Sequence, residues 1–295
     1  MGTERINLVL NKTGIGDDYP VRLMGVLNLS SESFYKGSVY TPDAIPHIAG
    51  EMINKKAAFL DIGGRSTAPQ AGHITVDEEK KRVQRSLERL LSSNDIGDTL
   101  ISIDTQYREV AAAAYRIMQK HGKEECFVLN DVSCLCTDPS LADWICDVDR
   151  PVILMAAHEK PGDSLGIKQT IDDLSRGIEI LAKKGLSIAQ RVIIDPGIGR
   201  WVPEKHPPYD LELIAKCADF RVFHLPVLVG ISRKSFIGSV LEKKNPDKRY
   251  QGTLAATAVA VFNGAHIVRT HDISEETLDT IVIAGALRNQ HNSLS

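Results

Sequence analysis

Carboxylate and amide side chains interrupt several apolar runs of the sequence. The runs FLDIGG, SIDT, VLNDV and VIIDPG contain Asp61, Asp104, Asn130 and Asp195. A polar group that is buried without a partner costs roughly 2–7 kcal/mol, so these side chains need a partner that the fold alone does not supply. Oxygen acceptors and amides are the groups that bind the N–H and carbonyl edge of a flat heterocycle. Asp104, Asn130 and Asp195 therefore predict a site for such a ring.

A second set of polar residues is cationic or able to bind a metal. Arg269 and His271 stand in the run AHIVRTHD, and Asn28 stands near the end of VRLMGVLNL. An arginine can hold two phosphate oxygens at once, which suits this set to an anion. A ring-binding set beside an anion-binding set predicts a substrate that carries both parts.

Two cations follow the apolar run PVLVGIS, which ends at Ser232. Lys234 is the candidate for the site, because its stem can pack along an apolar wall while its ammonium group binds a ligand. Arg233 is expected to point outward as a charge at the edge of a helix. A single Asp at the end of a strand is usually a turn residue or a helix cap, and this is the interpretation for Asp131 and Asp272.

Composition limits the possible classes of protein. The chain has 295 residues, 43% hydrophobic and 25% charged, with a formal net charge of -3, which argues against a nucleic-acid-binding protein with a basic patch. No apolar stretch is long enough to span a membrane, and charges occupy the start of the chain, where a signal peptide would be apolar. The five cysteines lack the spacing of a zinc site; Cys134 and Cys136 are expected to have a local structural role, and free thiols in the cytoplasm are expected.

Eight short runs rich in Val, Ile and Leu alternate with segments of helical spacing. The predicted strands are 21–29, 57–64, 100–105, 126–133, 151–157, 191–197, 226–232 and 265–272. The predicted helices are 43–55, 77–91, 107–120, 141–146, 169–184, 209–218, 252–263 and 274–288. Continuous apolar runs are typical of parallel strands that are buried on both faces. The pattern favours an α/β fold, a (β/α)8 TIM barrel over residues 21–295, above an open doubly wound sheet. Residues 1–20 are expected to be a short N-terminal extension, with a hairpin that closes the bottom of the barrel as one arrangement.

A barrel would bring the polar residues together. The carboxyl ends of its strands meet at one rim, where chemistry is found in this fold. Seven of the eight predicted strands end in Asp, Asn, Ser, Arg or His, which is more than turns alone explain. The exception is the fifth, where Met155 lies inside the strand and His158 follows it.

The sequence resembles the dihydropteroate synthase family. The resemblance rests on MGVLNLSSESF, FLDIGGRSTAP, SIDT, LNDVS, DPGIG, VLVGISRKSFIG and GTLAATAVAVFNGAHIVRTHD, which occur in order over almost the whole chain. It implies a TIM barrel that condenses 6-hydroxymethyl-7,8-dihydropterin pyrophosphate with p-aminobenzoate, or a related arylamine, and releases pyrophosphate. It also implies Mg²⁺ and a homodimer paired through the last helices.

The resemblance also implies roles for individual residues. Those matched to the pterin ring are Asp104, Asn130, Met155, Asp195, Gly230 and Lys234, of which Lys234, Asp104 and Asp195 would serve catalysis. Those matched to the pyrophosphate are Asn28, Thr67, Arg269 and His271, with Asn28 also at the magnesium ion. Those matched to the arylamine are Thr67, Ser232 and Lys234.

Departures from the family pattern fall in the loops. The family's N-x-T-P-D-S-F-S-D-G is replaced after Asn28 by a segment without the proline, and Ala68 stands where a pyrophosphate-binding arginine is expected. Arg65 is a hypothetical substitute for that arginine. The usual F-G-K after DPGIG is Arg200-Trp201-Val202, and M-H-M is Met155-Ala156-Ala157.

Three other functions remain open from the sequence. A pterin-dependent methyltransferase acting on a corrinoid protein would keep Asp104, Asn130 and Asp195 but would not need Lys234 or Arg269. A non-catalytic pterin-binding protein is a second. A phosphate-binding barrel enzyme of sugar metabolism is the third, and it is disfavoured because no glycine-rich phosphate loop follows the last two strands.

Overall fold

The structure, a computed structural model, describes residues 4–30, 40–65, 74–93 and 96–294. Two short antiparallel strands, β1 (Asn7–Leu10) and β2 (Thr13–Gly16), form a hairpin at the start of the chain. Eight parallel strands follow: β3 (Arg22–Asn28), β4 (Ala57–Gly63), β5 (Leu100–Asp104), β6 (Phe127–Asp131), β7 (Val152–Met155), β8 (Val192–Asp195), β9 (Leu228–Gly230) and β10 (Ile267–Thr270).

The eight parallel strands form a closed barrel. Each strand from β3 to β7 pairs with the next one along the chain, and β10 pairs with both β3 and β9. The last gap, between β8 and β9, is closed by a parallel bridge between Ile194 and Val227 and by the Ile194 N–H, which donates to the Pro226 carbonyl over 3.0 Å. The prediction of a (β/α)8 barrel is confirmed.

Helices surround the barrel: α1 (Ile45–Asn54), α2 (Val76–Ser93), α3 (Arg108–Lys120), α4 (Ser140–Val148), α5 (Gly166–Lys183), α6 (Ile188–Arg191), α7 (Pro207–Ala215), α8 (Ser235–Val240), α9 (Tyr250–Phe262) and α10 (Glu275–Leu294). The sequence did not reveal α6 or α8, because four to six residues are too few for helical spacing to be recognised. The short helix α8 begins directly after Lys234 and so fixes the chain where that residue leaves the barrel.

The strands are buried on both faces, as their uninterrupted apolar runs predict. One face of the strands packs against the helices in the larger core. The other face fills the barrel with one side chain from each strand: Met24, Phe59, Leu100, Val128, Ile153, Ile193, Leu228 and Ile267. This filled layer lies below the carboxyl ends of the strands and forms the floor of any site at the rim.

The N-terminal hairpin closes the opposite end of the barrel. Leu8, Leu10 and Ile15 are buried and join the apolar layer inside the barrel. Asp17, just after β2, accepts hydrogen bonds from Arg221 over 3.0 and 2.9 Å and so ties the hairpin to the segment before β9. Within the described ranges, no helix is long and apolar enough to cross a membrane.

We expect Ile15→Ala to lower the free energy of unfolding by about 2–5 kcal/mol, because it opens a cavity in a tightly packed apolar layer. Ile15 is 0% exposed, whereas Val9 of the same hairpin is 55% exposed. Val9→Ala is the matched control and should change stability by less than about 0.5 kcal/mol. Urea unfolding of the two variants measures the difference; equal losses would mean that the hairpin does not pack into the barrel.

Candidate active site

Strand register places the predicted ring-binding residues at one level of the rim. Asp104 of β5 pairs with Asn130 of β6, and Met155 of β7 pairs with Asp195 of β8. All four lie at or near the carboxyl ends of neighbouring strands. The barrel therefore brings these residues together, as the sequence predicts.

Arg269 lies between two carboxylates at this rim. Its Nε donates to Asp61 Oδ2 over 2.6 Å, and its Nη2 donates to Asp104 Oδ2 over 2.8 Å. Burial and the charge of Asp61 raise the pKa of Asp104 to about 7, although Arg269 opposes the shift. Burial acts to lower the pKa of Arg269, but the charges of Asp61 and Asp104 outweigh this effect and raise the pKa. Arg269 is thus a fixed cation at the centre of the rim.

Asp195 and Lys234 form the second charged group of the rim. Asp195 Oδ1 accepts a hydrogen bond from the Gly197 N–H over 2.8 Å, and burial raises the pKa of this carboxyl while Lys234 opposes the rise. Lys234 Nζ donates to the Ile198 carbonyl and lies 5.3 Å from the centre of the Trp201 ring. Burial lowers the pKa of Lys234 to about 8, against the effect of Asp195. This lysine remains mostly protonated at neutral pH, close to the point where it could lose its proton.

His271 and Ser232 extend the rim beside Arg269. The Ser232 hydroxyl lies 3.0 Å from His271 Nδ1. Burial and the nearby cations Arg269 and Lys234 lower the pKa of His271 to about 3, so its ring is neutral. When Ser232 donates to Nδ1, the ring proton is on Nε2, which makes this nitrogen a donor for an anionic oxygen.

The candidate anion-binding residues near β3 and β4 are only partly described. Asn28 ends β3 with a half-buried side chain, whose Oδ1 accepts from the Ser30 N–H over 3.0 Å. Arg65 Nε forms an ion pair of 2.6 Å with the buried Glu79, and its guanidinium lies over the Tyr107 ring. Arg65 would have to leave Glu79 to bind pyrophosphate. Thr67 lies outside the described residues.

The prediction that Arg233 points outward is wrong. Arg233 is buried and forms a two-point ion pair with Asp272, with Nε–Oδ2 and Nη2–Oδ1 distances of 2.8 Å each. It also donates to the carbonyls of Pro246 and Asp247. The error arose because the partner Asp272 follows β10, and sequence alone does not show that this loop reaches the loop after β9. Asp272 is thus an ion-pair partner as well as a strand-end residue.

Asp131 and the cysteines have structural roles, as expected. Asp131 accepts from the backbone N–H groups of Ser133 and Leu135 over 2.9 and 2.6 Å and shapes the turn after β6. All five cysteines are free, and the thiols of Cys134 and Cys136 contact backbone carbonyls. Across the described ranges, no three His, Cys, Asp or Glu side chains gather as a metal site.

Lys205 supports the rim and was not predicted. Its side chain is fully buried, and Nζ donates to the Gly197 carbonyl over 2.7 Å. Asp210 Oδ1 accepts from the Gly199 N–H over 2.7 Å. The two residues hold the loop after β8 that contacts both Asp195 and Lys234. A lysine in a polar loop gives no sequence signal of burial, which is why it was missed.

Comparisons with known proteins agree with this geometry. Residues 24–271 match the sequence profile of a family described as "Pterin binding enzyme". The chain belongs to the pterin binding enzyme family. The resemblance stated from the motifs is confirmed.

Named relatives of the pterin binding enzyme family match over most of the chain. The dihydropteroate synthase of Escherichia coli (strain K12) is 32% identical over 279 residues, 92% of this chain and 93% of that protein. That of Bacillus subtilis (strain 168) is 33% identical over 257 residues, with 86% and 84% covered. The structure of Xanthomonas albilineans dihydropteroate synthase with 4-aminobenzoic acid is 30% identical, with a TM-score of 0.78 and coverage of 97% and 99%. A second structure of that enzyme, in complex with 7,8-dihydropteroate, has 29% identity, a TM-score of 0.75 and coverage of 96% and 98%.

We expect the free energy of unfolding of the Asp104→Asn variant to rise, relative to that of the wild type, as the pH increases from 5 to 8. The raised pKa means that folded Asp104 keeps its proton from about pH 4 to about pH 7, while the unfolded chain loses it near 3.8. The free energy of unfolding of the wild type therefore falls as the pH rises through this window. The Asn variant lacks this dependence, because its amide does not titrate.

Urea unfolding at several pH values between 5 and 8 measures this difference. Asp149→Asn is the control, because a hydrogen bond from Arg191 lowers the pKa of Asp149 and moves its titration below the window. Parallel pH profiles for Asp104→Asn and the wild type would contradict the raised pKa.

Proposed function

We propose that this protein condenses 6-hydroxymethyl-7,8-dihydropterin pyrophosphate with p-aminobenzoate, or a related arylamine, and releases pyrophosphate. The observation that carries the proposal is the meeting of ring-binding and anion-binding groups at one rim, where Asp104 contacts Arg269 over 2.8 Å. Relatives named dihydropteroate synthase, with one structure that holds 7,8-dihydropteroate, support the choice of substrates.

The pterin ring would bind among Asp104, Asn130, Asp195 and Lys234. Carboxylate and amide oxygens accept from the ring N–H and amino groups, and the Lys234 ammonium donates to the ring carbonyl. Met155, buried at the end of β7, supplies an apolar wall. Gly230 faces the same place, since an added Cβ would lie 3.7 Å from Lys234 Nζ and 3.9 Å from Arg269 Cβ, and a residue without a side chain leaves this volume to the ring.

The reaction exchanges one bond for another at the methylene carbon of the pterin. The C–O bond to the diphosphate breaks, the C–N bond to the arylamine forms, and the amine nitrogen loses a proton. Positive charge develops on the methylene and spreads into the ring, where Asp104 and Asp195 stabilise it. These buried carboxylates are already in place before the substrate binds, so little reorganisation is needed as the charge appears.

The leaving diphosphate would bind Arg269 and His271. Arg269 supplies the fixed positive charge, and neutral His271 donates a hydrogen bond from Nε2. Asn28, Thr67 and Arg65 are proposed to contact the same anion from the loops after β3 and β4. To make this contact, Arg65 would have to break its ion pair with Glu79.

Magnesium is proposed at Asn28. Mg²⁺ often uses only one or two protein oxygens together with substrate phosphates and water. The half-buried Asn28 amide oxygen at the rim fits such a site, in which the diphosphate provides most of the ligands. When bound, the ion offsets negative charge on the leaving diphosphate.

The arylamine would bind at the outer edge of the rim, beside Ser232, Thr67 and Lys234. The Lys234 ammonium provides a charge for the carboxylate of p-aminobenzoate. Trp201 lies 5.3 Å from this ammonium and offers an aromatic face at the same place. A methyltransferase that acts on a corrinoid protein would have no use for Lys234 or Arg269 at this rim, and we therefore rank it second.

A homodimer is proposed through the last two helices. α9 and α10 pack against each other, and together they expose apolar side chains: Val259, Phe262, Val282, Ile283 and Leu287. Exposed apolar side chains on two adjacent helices are a feature of many protein–protein interfaces. The five free thiols fit a reducing compartment, so we also propose that the protein acts in the cytoplasm.

The direct test incubates the protein with 6-hydroxymethyl-7,8-dihydropterin pyrophosphate, Mg²⁺ and p-aminobenzoate. The expected product is dihydropteroate, detected by mass spectrometry. Pyrophosphate release without coupling would indicate a different second substrate. Tight pterin binding without turnover would favour the methyltransferase or a non-catalytic pterin-binding protein.

We expect Lys234→Ala to weaken pterin binding and to lower kcat/KM by about 100-fold or more, because it removes a charged donor from the ring site. Steady-state kinetics and calorimetric titration with the pterin measure the two effects. Lys248→Ala removes an exposed lysine nearby and should leave both unchanged. Wild-type kinetics in the Lys234 variant would remove this residue from the site.

We expect Ile283→Asp to convert the proposed dimer to monomers, because a charge replaces one of the exposed apolar side chains of α10. Val222→Asp is the matched control, since Val222 and Ile283 are both 62% exposed and Val222 belongs to neither α9 nor α10. Analytical ultracentrifugation measures the molecular mass of each. A wild type that sediments as a monomer at high concentration would contradict the proposed pairing.

A further inference from the structure

Asp61 is the most deeply buried charged residue among the site residues of the barrel. It lies on β4, two residues before Gly63, and its side chain is 0% exposed. Gly63 pairs with Asp104, and Asp61 pairs with Ser102 on the same strand β5. Asp61 therefore lies one layer below the rim, under the ring-binding residues and out of reach of solvent.

Three side chains from three other strands donate to this carboxylate. Ser102 Oγ donates to Oδ1 over 2.6 Å, and Asn130 Nδ2 donates to the same oxygen over 3.2 Å. Arg269 Nε donates to Oδ2 over 2.6 Å. Each oxygen of Asp61 is thus bonded, and all three donors are side chains.

The bond to Asp61 decides which way the Asn130 amide faces. A carboxylate accepts hydrogen bonds only, so it holds Nδ2 and leaves Oδ1 on the other side of the amide. Asn130 Oδ1 is buried and has no hydrogen-bond partner among the residues that the structure describes. Buried acceptors are almost always paired in folded proteins, so this oxygen awaits an N–H group from a ligand.

Asp61 also holds Arg269 independently of Asp104. The guanidinium contacts both carboxylates, and a ligand that takes the Asp104 carboxylate would remove only one of them. The contacts of Nε and Nη2 with Asp61 Oδ2, both 2.6 Å, remain, because Asp61 lies one layer below Asp104. Arg269 therefore keeps this anchor when an anion replaces Asp104 beside its guanidinium.

We propose that Asp61 is a positioning residue that serves both halves of the substrate. It fixes Asn130 as an acceptor for a ring N–H group, and it anchors Arg269 for the diphosphate. The inference rests on the proposed function for the identity of the ligand. The hydrogen bonds of Asp61 with Asn130 and Arg269 form without a ligand, so an experiment on the free protein can test them separately.

Asp61→Asn is the decisive variant, because it keeps the shape and removes the charge. The amide that this substitution introduces can donate to Asn130 Oδ1, which turns Nδ2 toward the ligand and reverses the polarity of the ring site. We expect 6-hydroxymethyl-7,8-dihydropterin to bind about tenfold or more weakly, a loss in line with a hydrogen bond to a charged group. Inorganic pyrophosphate should also bind more weakly, since Arg269 loses its anchor.

A double-mutant cycle separates positioning from general damage. In an Asn130→Ala background, Asp61→Asn should have little further effect on binding of the pterin, because the residue through which it acts is gone. In an Arg269→Ala background, it should have little further effect on binding of pyrophosphate. Full, additive losses in both backgrounds would overturn the proposal.

Asp173→Asn is the matched control. Asp173 is also buried and accepts from a serine hydroxyl, Ser164, over 2.7 Å, with Arg176 3.1 Å away, but it lies on α5 outside the ring site. Any loss of stability from removing a buried, arginine-paired carboxylate should appear in both variants. Only Asp61→Asn should change affinity for the pterin.

NMR of the Arg269 Nε–H group tests the anchor without any ligand. Its resonance, assigned by its loss in Arg269→Lys, should exchange slowly with solvent in the wild type and quickly in Asp61→Asn. Slow exchange in both proteins would overturn the anchor. If the wild type shows this protection but does not bind the pterin, the proposed function fails and the anchor stands.

Discussion

The burial of carboxylates at the rim of the barrel is the constraint on which the site depends. Asp104 and Asp195 lose most of their hydration there, and Asp61, buried one layer below, lies close enough to Asp104 to repel it. Arg269 and Lys234 offset these costs only in part, because the pKa of Asp104 is still raised and that of Lys234 is still lowered. The protein therefore compensates the buried charges only in part. A ligand with hydrogen-bond donors for the carboxylates and an anionic group for the cations would supply the rest.

The same constraint explains why the barrel, and not its loops, defines the site. Asp61 and Arg269 are 208 residues apart in the chain, yet their strands are separated only by β3. A closed ring of parallel strands is what allows residues this distant to share a hydrogen bond. The loops after β3 and β4 depart from the family pattern, whereas Asp104, Asn130 and Asp195 at the ends of their strands keep it. The proposed ring-binding half of the site is accordingly the part that rests on the barrel strands.

Much of the fold could be predicted from the sequence, because strands buried on both faces leave an apolar run that no other element leaves. The polar residues inside those runs could be predicted as site residues for the same reason. What could not be predicted is which side chains pair across strands. Arg233 was assigned to solvent because its partner Asp272 is 39 residues away, and the buried Lys205 gave no signal because its partners are backbone carbonyls. The partner of Arg233 is distant in the chain and those of Lys205 are backbone atoms, and periodicity encodes neither kind of contact.

The hairpin at the start of the chain also limits where ligands can enter and leave the barrel. Leu8, Leu10 and Ile15 pack into its lower end and a layer of side chains fills its middle, so the part of the barrel that the structure describes is closed below the rim. Both reactants of the proposed condensation would then enter, and both products would leave, at the rim. The compound that binds deepest would have to bind first and leave last.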